Sequence, residues 1–93
     1  MRLPKGLSIV NINSLKIAQL YQTKIVVFDS NQGTVTLNSG GWSTKHTKKC
    51  INLVLASTCF SLVQRDFEWY VIKTDANGQR KSVPFRDGIE LVY

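Results

Sequence analysis

Residues 13–21, Asn13-Ser14-Leu15-Lys16-Ile17-Ala18-Gln19-Leu20-Tyr21 (NSLKIAQLY), are the stretch on which the fold class turns. Asn13 is a favoured N-cap, because its side-chain oxygen can accept a free N–H of a first helical turn. Ile12 and Ile17 then stand at the N′ and N4 positions, the spacing of a hydrophobic staple. Ile17, Leu20 and Tyr21 share one helical face. The spacing predicts a short helix over roughly residues 14–21.

Upstream, residues 1–12 (MRLPKGLSIVNI) are mixed. Pro4 and Gly6 argue against regular structure at the start, and Leu7 to Ile12 reads as a short extended segment or a tether against the core. Downstream, Lys24 to Asp29 (KIVVFD) is β-branched and aromatic, hence a strand. Ser30 to Gly33 is a turn in which Gly33 can supply a positive φ where one is needed. Thr34 to Asn38 alternates apolar and polar residues as the returning strand. Gly40 and Gly41 break it. A second helix is expected over about residues 44–57, capped by Ser43 or Thr44, with Cys50, Ile51, Val54 and Leu55 on its apolar face.

The remaining residues read as strands at Phe60–Gln64, Phe67–Thr74, Lys81–Phe85 and Ile89–Tyr93. Arg65-Asp66 is a tight connection. Asn77-Gly78 favours a primed hairpin turn, and Asp87-Gly88 is a further turn signal. Pro84 suits an edge strand. The expected fold is therefore α+β, a small antiparallel sheet with two helices in the order α-β-β-α-β-β-β-β, forming one domain over residues 1–93.

The chain is basic, with a formal net charge of +6, and the charge is uneven. Residues 1–65 hold eight Lys and Arg against one acid, whereas residues 66–93 hold four against five. Such a surface attracts phosphate backbones, anionic membranes or acidic proteins. No apolar run approaches the ~20 residues of a transmembrane helix, and an apolar signal core is missing, so no membrane role is expected. Cys50 and Cys59 lie across the second helix, whose rise would hold them roughly 13 Å apart, too far for a disulfide. Both read as small buried hydrophobes in a reducing compartment. Two Cys and one His do not make a zinc framework, and neither metal nor cofactor is expected.

Function is sought in Asn38 to Lys49 (NSGGWSTKHTKK), which holds Lys45, Lys48, Lys49 and His46 and no acid. A helix start is already positive, through its free N–H groups and macrodipole, so cations there suit a facing anion. Gly40 and Gly41 leave backbone N–H groups accessible as in anion-binding nests, and Thr44 and Thr47 add hydroxyl donors. The spacing is not that of a P-loop, so nucleotide binding is not expected. A solvated charged face is the plain alternative for the lysines. His46 lacks a nearby acid and reads as a surface residue or a further phosphate donor, not a catalytic base. Trp42 reads either as a plug between hairpin and helix or as a stacking face for a base or a hot spot for a partner. Phe67, Trp69 and Tyr70 could form an exposed platform on the two faces of one strand, and are expected instead to pack under helices. Asp66, Glu68, Asp87 and Glu90 read as surface charge, with a paired-carboxylate site as the alternative.

The run Leu37 to Asn52 (LNSGGWSTKHTKKCIN), followed by FEWYVI and FRDGIEL, resembles a group of short phage-encoded proteins. In these an L-N-[ST]-G-G-[WY] segment leads into a T-K-rich helix ending in Asn, then a W-x-V strand and a final F-x-[DN]-G strand pair. Leu37 to Trp42, Thr47, Lys48, Asn52, Trp69, Val71, Phe85, Asp87 and Gly88 carry the resemblance, over about residues 35–91, and the first 30 residues carry no part of it. It implies a phage accessory protein in host cytoplasm and no defined activity.

The expectation is a non-enzymatic protein that binds DNA or RNA through Gly40, Gly41, Trp42, Thr44, Lys45, His46, Lys48 and Lys49. The alternative is an inhibitor or adaptor docked on a host nucleic-acid-processing protein or defence complex, an anti-defence and anti-CRISPR-like role. A virion component stays open beside both.

Overall fold

Residues 15–20 form a β-strand, not a helix. The computed structural model describes residues 3–41, 44–56 and 58–92. In chain order its elements are β1 (Leu7–Ile12), β2 (Leu15–Leu20), β3 (Thr23–Asp29), β4 (Thr34–Leu37), α1 (Lys45–Leu55), β5 (Phe60–Arg65), β6 (Glu68–Thr74), β7 (Arg80–Pro84) and β8 (Ile89–Val92). The protein is thus mostly β and begins with strands, which corrects the two-helix α+β expectation.

The correction has a physical reason. A helix of about eight residues is marginal on propensity alone. Here the segment gains main-chain partners on both sides, pairing antiparallel with β1 from Leu7↔Leu20 to Ile12↔Leu15 and with β3 from Leu15↔Asp29 to Leu20↔Thr23. Asn13 is a turn residue with φ +53, the left-handed conformation that Asn tolerates in two-residue hairpin loops. The side chains alternate accordingly: Ala18 and Leu20 face the core, while Leu15, Ile17 and Gln19 face away half-buried.

Two antiparallel sheets result. One is five-stranded, in the order β1-β2-β3-β4-β8, and the other is a three-stranded meander, β5-β6-β7. The chain leaves the second sheet after β7 and returns to the first, where β8 pairs with β4 from Leu37↔Ile89 to Thr34↔Val92. A register shift at Ala18/Gln19 leaves Ile25 as the extra residue of β3, since Ala18 pairs with Val26 and Gln19 with Lys24. Such a bulge turns two successive side chains inward, and Ile25 and Val26 are both fully buried. They join Val35 and Leu37 of the first sheet, Cys50, Ile51 and Leu55 of the helix, and Phe60, Leu62 and Val71 of the second sheet in one apolar core.

Other expectations hold or shift in detail. Gly33 takes φ +64 in the β3–β4 turn, and Pro84 ends an edge strand. Asn77 does not enter the left-handed region. Only Gly78 does, and Asp75 Oδ1 accepts the N–H groups of Asn77 and Gln79, so this loop is not a primed two-residue turn. The primed geometry sits instead at Asp66-Phe67, with φ +51 and +68. Cys50 is buried as expected, but Cys59 is exposed, because it precedes β5 outside the core. The positions expected for Ser43 as a cap, Ser57 as the helix end and Tyr93 as a strand end lie outside the described residues.

Candidate functional site

The helix start is built as its sequence requires. Thr44 is the N-cap, with φ −101 and ψ 162, and its Oγ1 accepts the Thr47 N–H at 3.2 Å. Thr47, Cys50, Ile51, Val54 and Leu55 are buried on one helical face. This leaves Lys45 and Lys49 exposed, with Lys48 half-buried. Lys48 Nζ reaches Gln64 Oε1 at 3.5 Å. The first turn holds no acid, and no ion pair engages Lys45 or Lys49 among the described residues.

The residues before the helix are arranged differently from an open nest. Gly40 and Gly41 are both left-handed, with φ +65 and +83, which glycine adopts without steric cost. Their N–H groups are already engaged: Gly40 donates to Asn38 Oδ1 at 2.9 Å, and Gly41 to Ser39 Oγ at 3.2 Å. The negative group facing this junction is the chain's own Asp87, whose Oδ1 accepts the Ser39 hydroxyl at 2.7 Å and the Ser39 N–H at 2.8 Å. Partial burial pushes the Asp87 carboxyl up, but the bonds from Ser39 and from the Gly41 N–H outweigh it and hold the group below its ordinary range. Beside it the Gly88 N–H donates to the Leu37 carbonyl at 2.9 Å. Two loops distant in sequence are thereby tied together, and the Gly41 N–H serves that tie while the Gly40 N–H is used within its own loop.

His46 also has a partner within the chain. Its Nε2 lies 3.0 Å from the Lys5 carbonyl, which can only accept, so Nε2 carries the hydrogen. The Cys50 thiol lies 3.8 Å from the same nitrogen. This is not the arrangement of an activated nucleophile: burial raises the thiol's pKa beyond the lowering by Lys49, and a protonated Nε2 cannot take its proton. No group of His, Cys, Asp and Glu among the described residues is placed to hold a metal. Leu20, Tyr21, Thr23, Ile25, Thr44 and His46 border a concavity of about 530 Å3 beside the helix start. Trp42, expected as a plug or a stacking face, lies outside the described residues.

Of the expected site residues, the structure brings Lys45, Lys48 and Lys49 to one side of the helix, where Thr44 is its cap. Gly40 and Gly41 donate instead to Asn38 and Ser39, respectively. Asn52, part of the motif, is structural: its side chain donates to the Leu62 carbonyl at 2.8 Å and accepts the Leu62 N–H at 2.7 Å, imitating a neighbouring strand along β5. Asp87 is exposed, as a surface charge is, but its carboxylate also clasps Ser39, a role signalled only by its place in the F-x-[DN]-G motif. Phe67, expected under a helix, is 95% exposed at the β5–β6 turn, whereas Trp69 is buried with its ring 5.5 Å from that of Phe85.

These features define a small, mostly β, two-sheet protein with a cationic helix start clasped to the last strand. Residues 8–92 match the family model described as the Kyanoviridae Gp96 protein, and the chain belongs to this phage family. The match extends through β1 and β2, which the motif resemblance left out. No curated protein and no solved structure matches the chain. No helix among the described residues is long and apolar enough to cross a membrane.

Proposed function

We propose that this phage protein is a non-enzymatic accessory protein of the host cytoplasm that binds nucleic acid through the start of α1. The observation that carries the reading is the pair Lys45 and Lys49: both exposed, Lys45 opening the helix and Lys49 one turn further on, neither with an acid in reach among the described residues. Cations there raise the field the macrodipole already makes, which costs stability unless an anion compensates it. With the Gly40 and Gly41 N–H groups engaged internally, contact falls to the ammonium groups of Lys45, Lys48 and Lys49. Ammonium contacts to phosphate position a protein and carry little sequence information. Binding to DNA and RNA over a salt series tests this. A Lys45/Lys48/Lys49→Ala triple variant is expected to bind with a shallower salt slope, by about 0.9 for each duplex phosphate it no longer neutralises. Absence of binding at low salt, or an unchanged slope, would refute it.

A second reading, docking on a host nucleic-acid-processing protein or defence complex, is favoured by Phe67. An aromatic residue at φ +68 and 95% exposed gains nothing from the fold and sits in a conformation that bulky side chains avoid. Exposed aromatics of this kind act as anchors in partner pockets. Capture from host lysate by the wild-type chain, retained after nuclease treatment and abolished in Phe67→Ala, is the expected result.

A further inference from the structure

The two sheets end in four outer strands, β1 and β8 in one and β5 and β7 in the other. An open edge presents unpaired N–H and C=O groups, and folded proteins blunt such edges with charge, proline or a cover. Three of the four are blunted here. β7 carries Arg80, Lys81 and Pro84. β5 is covered at Leu62 by the Asn52 amide. β8 is short, contains Glu90, and has its Val92 carbonyl taken by Lys73 Nζ at 3.2 Å. β1 is six residues long, LSIVNI, with neither charge nor proline, and no strand among the described residues pairs with its outer side.

The groups it presents follow from the ladder. Ile12↔Leu15 closes a two-residue loop, and the Tyr21 N–H donates to the Gly6 carbonyl at 2.8 Å. Pairing alternates along an antiparallel ladder, so Gly6, Ser8, Val10 and Ile12 bond to β2. Leu7, Ile9 and Asn11 therefore turn their main-chain groups outward. The Leu7 N–H is used by the Pro4 carbonyl at 3.1 Å. The N–H groups of Ile9 and Asn11 and the carbonyls of Leu7, Ile9 and Asn11 face the open side. On the sheet face beside them Val10 and Ile12 are 46% and 50% exposed.

We infer that two copies of this chain associate through β1, antiparallel about a two-fold axis at Ile9, joining their five-stranded sheets. In this register each Ile9 N–H meets the Ile9 carbonyl of the other copy, and each Asn11 N–H meets the other copy's Leu7 carbonyl. Val10 lies opposite Ser8, a large residue against a small one. Charge singles out this edge for self-pairing. Copies of a chain with net charge +6 repel one another. Self-pairing through β7 would gather four cations, Arg80 and Lys81 of each copy, at one contact, whereas β1 brings no charge to it. The inference does not depend on the nucleic-acid reading.

A contact built on one strand pair is small, so half-dimerisation is expected on the order of 10–100 µM. Light scattering on the full chain over a concentration series should show a mass rising from 10.5 kDa towards twice that value. Amide exchange at Ile9 and Asn11 should slow as concentration rises. Asn11→Pro removes an outward N–H, which an edge strand tolerates, and Val10→Lys places like charges across the axis. Each should weaken dimerisation at least tenfold with an unchanged circular-dichroism spectrum. Val10→Lys alters a half-exposed side chain and serves alone should the proline variant fail to fold. Val83→Lys on β7 should leave the dimer unchanged. A chain that stays monomeric at 500 µM overturns the inference, as does a dimer indifferent to Asn11→Pro and Val10→Lys, or one broken by Val83→Lys.

Discussion

Ser39 donates both its hydroxyl, at 2.7 Å, and its N–H, at 2.8 Å, to one carboxylate oxygen of Asp87. This pair joins the end of β4 to the turn before β8, so one contact links the strand that completes the larger sheet to the junction that starts the helix. Asp87→Asn is expected to lower stability by about 1 kcal/mol, since the site is partly solvated and the bonds are screened. The same bonds depress the folded carboxyl below its ordinary value of 3.8. Their contribution is full above that value and is lost as pH falls through the folded pKa. Urea denaturation between pH 7 and pH 3 should show a smaller acid loss for Asp87→Asn than for the wild type.

Asn52 holds both main-chain groups of Leu62. Asn52→Ala leaves that N–H and carbonyl without partners between helix and sheet, with an expected cost of about 2 kcal/mol in thermal unfolding. Asn52→Asp keeps an acceptor for the Leu62 N–H and loses the donor to its carbonyl, so its melting temperature should fall between those of the wild type and Asn52→Ala.

The two glycines of the junction should behave differently. A Cβ at Gly40 would run into the Thr23 side chain, whereas at Gly41 it would meet nothing within 4 Å among the described residues. Both positions are left-handed, so alanine costs about 1–2 kcal/mol at either from conformation alone. Gly40→Ala should cost distinctly more than Gly41→Ala in denaturant midpoint.

Lys45 opens the helix with the wrong sign for the macrodipole. Lys45→Glu should therefore stabilise the fold by about 0.3–1 kcal/mol while weakening nucleic-acid binding. Opposite movement of melting temperature and affinity separates a weakened phosphate interaction from a damaged fold. Parallel movement of the two would count against the proposed role of this helix start.

Phe67 should trade stability for partner binding in the same way. Asp66 and Phe67 occupy a turn that suits Asp-Gly. Phe67→Gly is expected to raise stability by about 0.5–1 kcal/mol by relieving the left-handed aromatic. If the side chain anchors a partner, the same variant loses that partner in a pull-down.

What local chemistry sets was legible in the residues themselves. The Thr44 cap, the apolar face of α1, the β-branched strands, the Gly33 turn and the exposed lysines all follow from residue type and spacing within a few positions. The rest came from the assembled fold, because the deciding partners are remote. Leu15–Leu20 carries a helical start signal and an apolar spacing that a helix would also satisfy. It becomes a strand because β1 and β3 offer hydrogen bonds on both sides, which a single helical turn or two could not match. The Gly40-Gly41 donors read as an open nest until Asn38, Ser39 and Asp87 are found to engage that junction, the last of them brought over by β8. Phe67 looks like core in the company of Trp69 and Tyr70, yet the turn between β5 and β6 turns it out to solvent. Local spacing fixes which groups are present, and only the pairing of distant strands decides which of them remain free.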